Sequence, residues 1–296
     1  MTVSFRQILE SLSSYETQQV LRKQFEAANH ADGERMRHAL EEGGTAQSDV
    51  GDSLRGSNYN LNRYTNVVPF NHNRVRLSGK ADYINATHVT VSQTGGRYIA
   101  TQGPLGHTRG DFWRMVWEQQ AGAVVMLANP VEQLQSKCAE YWPTPVGEVL
   151  KLGDLSVSLG DERPLEGCLS VIARQLKIAR GAEERAVMQL HYTEWPDHGV
   201  PQSPVPMIRI MQELERAGSF GTGPVVVHCS AGVGRTGSFI VLDAARRFFR
   251  QAADYDGDFV GDVFGSLRTQ RTLMVQTFEQ YLMCYQTVHY MLNSRE

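Results

Sequence analysis

Residues 225–237 read VVVHCSAGVGRTG. A β-rich run ends in His228 and Cys229, and small residues follow, with glycine at 232, 234 and 237. Arg235 and Thr236 come next, and then a helical pattern begins. Glycines let successive backbone N–H groups of Ser230, Ala231, Gly232, Val233 and Gly234 converge on one point, and the next helix brings its positive end to that point. Arg235 adds a planar fork that suits two oxyanion oxygens. Cys229 sits at the mouth of this cradle. Amide dipoles, a helix N-terminus and a guanidinium all favour a thiolate there. Only five residues separate Cys229 from Arg235, so one loop can set both around one anion. Thr236 can donate its hydroxyl to the sulfur. The chemistry implied is nucleophilic attack by sulfur on a bound phosphate.

Taken singly, these residues have plainer roles. A lone cysteine is ordinarily a small apolar core residue, and a lone arginine a surface ion-pair partner. Gly232, Gly234 and Gly237 also satisfy the dinucleotide fingerprint G-x-G-x-x-G, with Asp254 and Asp256 about twenty residues on. That fingerprint needs a second parallel strand leading to the acid, and the sequence after the helix shows none. The lysine of a P-loop is missing as well.

The whole chain sets bounds on the reading. It has 296 residues with 29 basic and 32 acidic side chains, a formal charge of −3. That size supports a core without staples, and the charge gives no bulk attraction to nucleic acid. Cys138, Cys168, Cys229 and Cys284 are widely spaced and form no C-x-x-C pair. Neither a zinc site nor a disulfide scaffold is expected, and a reducing compartment fits. The N-terminus has no basic segment followed by an apolar one, and the longest apolar run, about 121–128, is too short to span a membrane. The expectation is a soluble, cytoplasmic protein, with nuclear access possible, that acts as a monomer.

Several elements must hold the cradle. Residues 1–42 carry apolar positions at helical spacing, and 43–58 are rich in Gly, Ser and Asp and read as a linker or mobile loop. The spacing predicts helices over 108–119, 204–217, 235–250, 258–270 and 276–292. AVVMLA at 123–128 and PVVVH at 224–228 read as buried strands, with more short strands between 137 and 190. The fold class expected is α/β, a central twisted mixed sheet flanked by helices. The domain boundary is placed between an N-terminal extension, 1–57, and a catalytic domain, 58–296.

With HCSAGVGRTG in view, the chain resembles the cysteine-dependent protein tyrosine phosphatases, in their tyrosine-specific, non-receptor branch. The resemblance covers about 58–292. It includes NRYTNVVPF at 62–70, DYINA at 82–86, TQGPL at 101–105 and DFWRMVWEQ at 111–119. It continues through KCAEYWP at 137–143, WPDHGVP at 195–201 and QTFEQY at 276–281. Dual-specificity relatives share the cysteine loop but lack the NRY and QTxxQ segments. The resemblance therefore implies phosphotyrosine in proteins as substrate, with no metal or other cofactor.

It also implies roles. Cys229 is the nucleophile that forms a cysteinyl-phosphate, and Arg235 clamps the equatorial oxygens. Asp197, after Trp195 and Pro196, is the general acid and then the general base. Tyr64 stacks on the phenyl ring and sets pocket depth, beside Asn66 and Val67. Gln276 and Gln280 position the hydrolytic water. Glu132 orients the loop arginine, Lys137 stands near the acid loop, and His228 orients the cysteine loop. Each has a plainer reading in isolation: a turn aspartate, a core tyrosine, solvated glutamines, surface charges.

The sequence departs from the family pattern at Asn66 and Asn71, where aspartate is frequent, and at Thr272, where proline is frequent. Leu273 is bulky beside the rim and is expected to narrow a second phosphotyrosine pocket. The alternative functions are a catalytically silent phosphotyrosine-binding module and a phosphatase of phosphoserine or lipid. The first would lack one of Cys229, Arg235 and Asp197. Tyr64 and the absence of extra lysines in the cradle argue against the second.

Overall fold

A computed structural model describes residues 4–41, 44–196, 199–221 and 223–294. The N-terminal stretch forms α1 (Phe5–Glu10) and α2 (Tyr15–Glu41). Ser4 caps α1 through a reciprocal pair with Gln7. Phe5 and Leu9 of α1 and Leu21 and Phe25 of α2 are buried in the main core. Two one-turn helices follow, α3 (Gly51–Leu54) and α4 (Gly56–Tyr59).

The described part of the segment that reads as a mobile linker, 44–58, is therefore folded around two polar anchors. Asp52 and Ser53 are buried, and Asp52 accepts from Arg74 Nε at 2.9 Å and Nη2 at 2.8 Å. Asn71 donates from Nδ2 to Asp49 at 2.7 Å, and its Oδ1 accepts from the Asp52 N–H at 3.2 Å. Composition reported only the backbone freedom of Gly and Ser. The ion pair with Arg74 lies in a later element.

The strands are β1 (Arg74–Arg76), β2 (Tyr83–Val91), β3 (Gly96–Thr101), β4 (Ala123–Met126), β5 (Val131–Glu132), β6 (Gln135–Ser136), β7 (Val149–Leu152), β8 (Leu155–Leu165), β9 (Cys168–Arg180), β10 (Glu183–Tyr192) and β11 (Val225–His228). Among the described residues, nine of them form one mixed sheet in the order β1-β2-β3-β11-β4-β10-β9-β8-β7. The central neighbours β3/β11, β11/β4 and β4/β10 pair in parallel, and the outer ones are antiparallel. β5 and β6 form a separate hairpin.

The parallel centre is covered on both faces, which is why its strands are continuously apolar. Val225 and Val227 face one cluster, which also holds Phe239, Val241 and Tyr285. Val226 faces another, with Phe112, Trp113 and Val116. The latter come from α5 (Arg109–Glu118). The former face is covered by α6 (Val205–Arg216), α7 (Gly234–Phe249), α8 (Phe259–Gln270) and α9 (Phe278–Asn293). Each predicted helix is present within about two residues of its expected ends. The fold is the α/β class expected. No described helix is long and apolar enough to cross a membrane. The four cysteines are buried and free of disulfides.

The Asn71 departure is explained by Asp49. Asn71→Asp would set two carboxylates against each other where a hydrogen bond now stands. We expect it to cost about 1–2 kcal/mol, a fall of roughly 2–8 °C in Tm, by thermal denaturation at pH 7.

Candidate active site

β11 delivers Cys229 to the carboxyl end of the parallel strands, where α/β sheets bind ligands. The loop that follows is shaped by where its carbonyls go. Ser230 O accepts from Gly103 N at 2.8 Å. Arg271 reaches Ala231 O at 3.1 Å and Gly232 O at 3.0 Å. Val233 O accepts from Gly237 N at 2.8 Å and Val275 N at 3.2 Å. Four successive carbonyls are thus held from outside, which turns the amide edges inward. Gly232 has φ +72°, and a Cβ there would stand 2.1 Å from Thr101 O. At Gly237 a Cβ would stand 2.4 Å from Val275 N. Both glycines are thus required by close approach, and Gly232 by conformation as well.

The Cys229 side chain is buried and its Sγ accepts two hydrogen bonds, from Gly232 N at 3.3 Å and Thr236 Oγ1 at 3.4 Å. Arg235 is also buried. It donates to Glu132 through both terminal nitrogens, at 2.6 and 2.9 Å, and to Leu127 O at 3.0 Å and Pro196 O at 3.2 Å. Glu132 accepts from Asn129 N at 2.9 Å as well. The β5–β6 hairpin aims Glu132 inward through a two-residue turn, in which Gln133 and Leu134 both have positive φ. The bidentate geometry fixes the plane of the guanidinium.

Tyr64 is half-buried at the rim, and its hydroxyl lies 2.9 Å from Ser230 Oγ. Ser230 Oγ donates to Lys137 O at 3.0 Å. A cleft of about 430 Å³ brings together Tyr64, Asn66, Val67, Glu132, Lys137, Gly199, Cys229, Ser230, Ala231, Gly234, Arg235, Gln276, Thr277 and Gln280. Trp195 is buried with its indole donating to Gly199 O at 3.4 Å. Asp197 lies outside the described residues.

Gln276 and Gln280 differ. Gln276 is exposed in the cleft. Gln280 is buried, and its Oε1 accepts from Gln276 N at 2.9 Å and Thr277 N at 3.4 Å, while Thr277 Oγ1 accepts from Gln280 N. This is a capping box on α9, legible as T-x-x-Q. One side chain thus closes a helix end and lines the cleft.

His228 is fully buried, and loss of hydration lowers its pKa to about 4. Its Nδ1 lies 3.1 Å from Cys229 O and its Nε2 2.7 Å from Tyr141 Oη. The neutral ring with its proton on Nδ1 satisfies both, with Tyr141 donating to Nε2. Tyr141 in turn accepts from Gln189 Nε2 at 2.7 Å, and Arg174 Nη1 donates to Gln189 Oε1 at 3.0 Å.

Sequence reasoning missed two supporting arginines. Arg271 is fully buried; besides the loop carbonyls it holds Asn85 Oδ1 at 2.7 Å and Thr87 Oγ1 at 3.0 Å, and burial lowers its pKa to about 10. Arg63 ties the Tyr64 segment to Gly103 O, Pro104 O and Ser136 O at 2.8–3.0 Å. Arg63 lies inside NRYTNVVPF, and the signal for Arg271 is a charged residue between two apolar helical patterns.

A family model described as protein-tyrosine phosphatase matches residues 58–290. The chain is 38% identical over 250 residues to receptor-type tyrosine-protein phosphatase C of Rattus norvegicus, covering 81% of this chain and 19% of that protein. It is 41% identical over 245 residues to tyrosine-protein phosphatase Lar-like of Caenorhabditis elegans, covering 80% and 11%. The chain therefore spans only a small part of the length of these relatives. A solved structure described as the structural basis of the PTPN18 fingerprint on distinct HER2 tyrosine phosphorylation sites matches at a TM-score of 0.85 and 34% identity. That match covers 98% of this chain and 99% of the other.

Two outcomes follow from this geometry. Arg271→Met leaves the Ala231 and Gly232 carbonyls unclaimed, at about 1.5–3 kcal/mol per charged hydrogen bond lost, so orthovanadate should bind at least about tenfold more weakly by titration calorimetry. The second concerns acid. His228 titrates near 4 when folded against an ordinary 6.5, and His191 near 3, for the same reason of burial. The unfolded chain takes up protons that the folded one refuses, so this stability is full above about pH 6.5 and is lost as pH falls towards 4. Burial raises Asp243 to about 6, which offsets part of this loss, so Tm should drop over that window by less than the two histidines alone imply, and His228→Asn should make the drop shallower.

Proposed function

The chain belongs to the protein-tyrosine phosphatase family, and on that premise we propose that it hydrolyses phosphotyrosine in proteins through a cysteinyl-phosphate. The observation that carries the reading is the Cys229 sulfur, which accepts an N–H and a hydroxyl at the floor of an amide-lined cleft beside Arg235. In the first step Sγ attacks phosphorus and the bond to the tyrosine oxygen breaks. The leaving oxygen takes a proton from Asp197. The amide edges and Arg235 hold the three equatorial oxygens as charge shifts, at no cost of reorganisation during the reaction. In the second step a water attacks phosphorus and gives its proton to Asp197. The S–P bond breaks, sulfur keeps the electron pair and phosphate leaves. The role of Asp197 rests on its place after Trp195 and Pro196.

Glu132 holds the guanidinium in plane but competes for its donors. A bound phosphate would meet a guanidinium whose two terminal nitrogens already serve Leu127, Glu132 and Pro196. The contact to Pro196 O links the clamp directly to the segment that bears the acid. Tyr64, fixed to Ser230, walls the cleft deeply enough to favour a phenyl phosphate over the shorter phosphoserine. The partners proposed are tyrosine-phosphorylated proteins met in the cytoplasm or nucleus, with the chain acting as a monomer.

The test is hydrolysis of matched phosphotyrosine and phosphoserine peptides with chelator present. Wild type should clear phosphotyrosine alone, and Cys229→Ser should be inactive. Asp197→Ala should lose about 10²–10⁴ in kcat yet still bind the peptide. Binding without turnover by wild type would overturn the enzyme reading in favour of a phosphotyrosine reader.

A further inference from the structure

The N-terminal helix α2 reaches the cleft through one buried carboxylate. Asp32 is 3% exposed and accepts from Arg35 Nη1 at 2.6 Å, Arg268 Nη1 at 2.8 Å and the backbone N–H of Leu273 at 2.9 Å. Arg268 is buried too, under Phe25 and Phe264. Its Nε holds Met274 O at 2.6 Å and its Nη2 holds Val275 O at 2.8 Å, while Nη1 also reaches Asn29 Oδ1 at 2.9 Å. Two residues of α2 and one of α8 therefore fix the run 273–275 that leads into Gln276.

That run needs holding. Leu273 has φ 62° and Val275 φ 57°, left-handed conformations costing bulky residues about 1–3 kcal/mol each. On its other side the run meets the cradle, through Val275 N to Val233 O and the bare Cα of Gly237. Gln276, the next residue, stands exposed in the cleft with Cys229.

We propose that Asp32 is a positioning residue through which α2 sets the rate of phosphoenzyme hydrolysis, by fixing where the Gln276 amide meets the attacking water. The inference rests on the cysteinyl-phosphate reading. The two steps depend on the run differently. In the first, the nucleophile is tethered at the end of β11 and the clamp is held by Glu132, so the run enters through the bond from Val275 N to Val233 O. In the second, the nucleophile is a free water, whose placement depends on a polar side chain in the cleft. The atoms of that step are those given above, with sulfur recovering its electron pair and Asp197 its proton.

Stopped-flow kinetics with p-nitrophenyl phosphate test this on Asp32→Asn, with Glu34→Gln on the exposed face of α2 as control. In Asp32→Asn, kcat should fall about 5–10-fold while kcat/KM, which reports phosphoenzyme formation, stays within about twofold. A burst approaching one p-nitrophenolate per enzyme should appear, with phosphocysteine accumulating in acid-quenched samples. Asn29→Leu removes a single contact of Arg268 and serves as a milder variant, shifting the same partition about twofold. Equal falls in kcat and kcat/KM without accumulated phosphoenzyme, or an unchanged partition in both variants, would overturn the inference alone. A wild type that releases no p-nitrophenolate would instead remove the phosphatase reading, and the inference with it.

Discussion

The site depends on one constraint: a loop that turns its amide edges inward must dispose of its carbonyls elsewhere. Ser230 to Val233 do so in four directions, to Gly103, Arg271, Gly237 and Val275. The four donors lie on four elements, namely the end of β3, the end of α8, the first turn of α7 and the run before α9. The sheet order follows from the same need, since β11 lies between β3 and β4 and so places Cys229 among their carboxyl ends. Buried arginine is suited to this work. Its fork can serve two carbonyls and two side chains at once, and those bonds offset the loss of hydration.

Much of this was legible in the sequence because the chemistry is contiguous. Cys229, Arg235 and Thr236 share one short loop, and the triple valine before them announced a strand buried on both faces. The helices were legible because their apolar spacing is local. Arg271 and Asp32 were not, since each acts through contacts with distant parts of the chain. The same reason hides the fold of 44–58: its glycines and serines are visible in sequence, whereas the guanidinium of Arg74 that pairs with Asp52 is not. Gln280 carries two signals, its place in the QTxxQ motif and the T-x-x-Q pattern of a helix cap.

The polar chain behind the cysteine has a different logic from the cradle. Arg174, Gln189, Tyr141 and His228 lie buried in sequence-distant strands and loops, yet each finds a partner, and the last holds the Cys229 carbonyl. A fully partnered buried chain of this kind specifies one arrangement, because any slip leaves a polar group unpaired in a dry interior. It orients the loop from behind while Arg271 holds it from the side.

The capping box at Thr277 and Gln280 joins two properties that proteins usually keep apart. Helix ends are the first places to fray, with opening free energies far below that of global unfolding. Here the side chain that closes α9 also lines the cleft, and it takes the backbone N–H of Gln276 in the same grip. Fraying of the first turn of α9 and disassembly of that wall of the cleft are therefore a single local event. The backbone amides of Gln276 and Thr277 should exchange with solvent through the same opening that loosens the cleft.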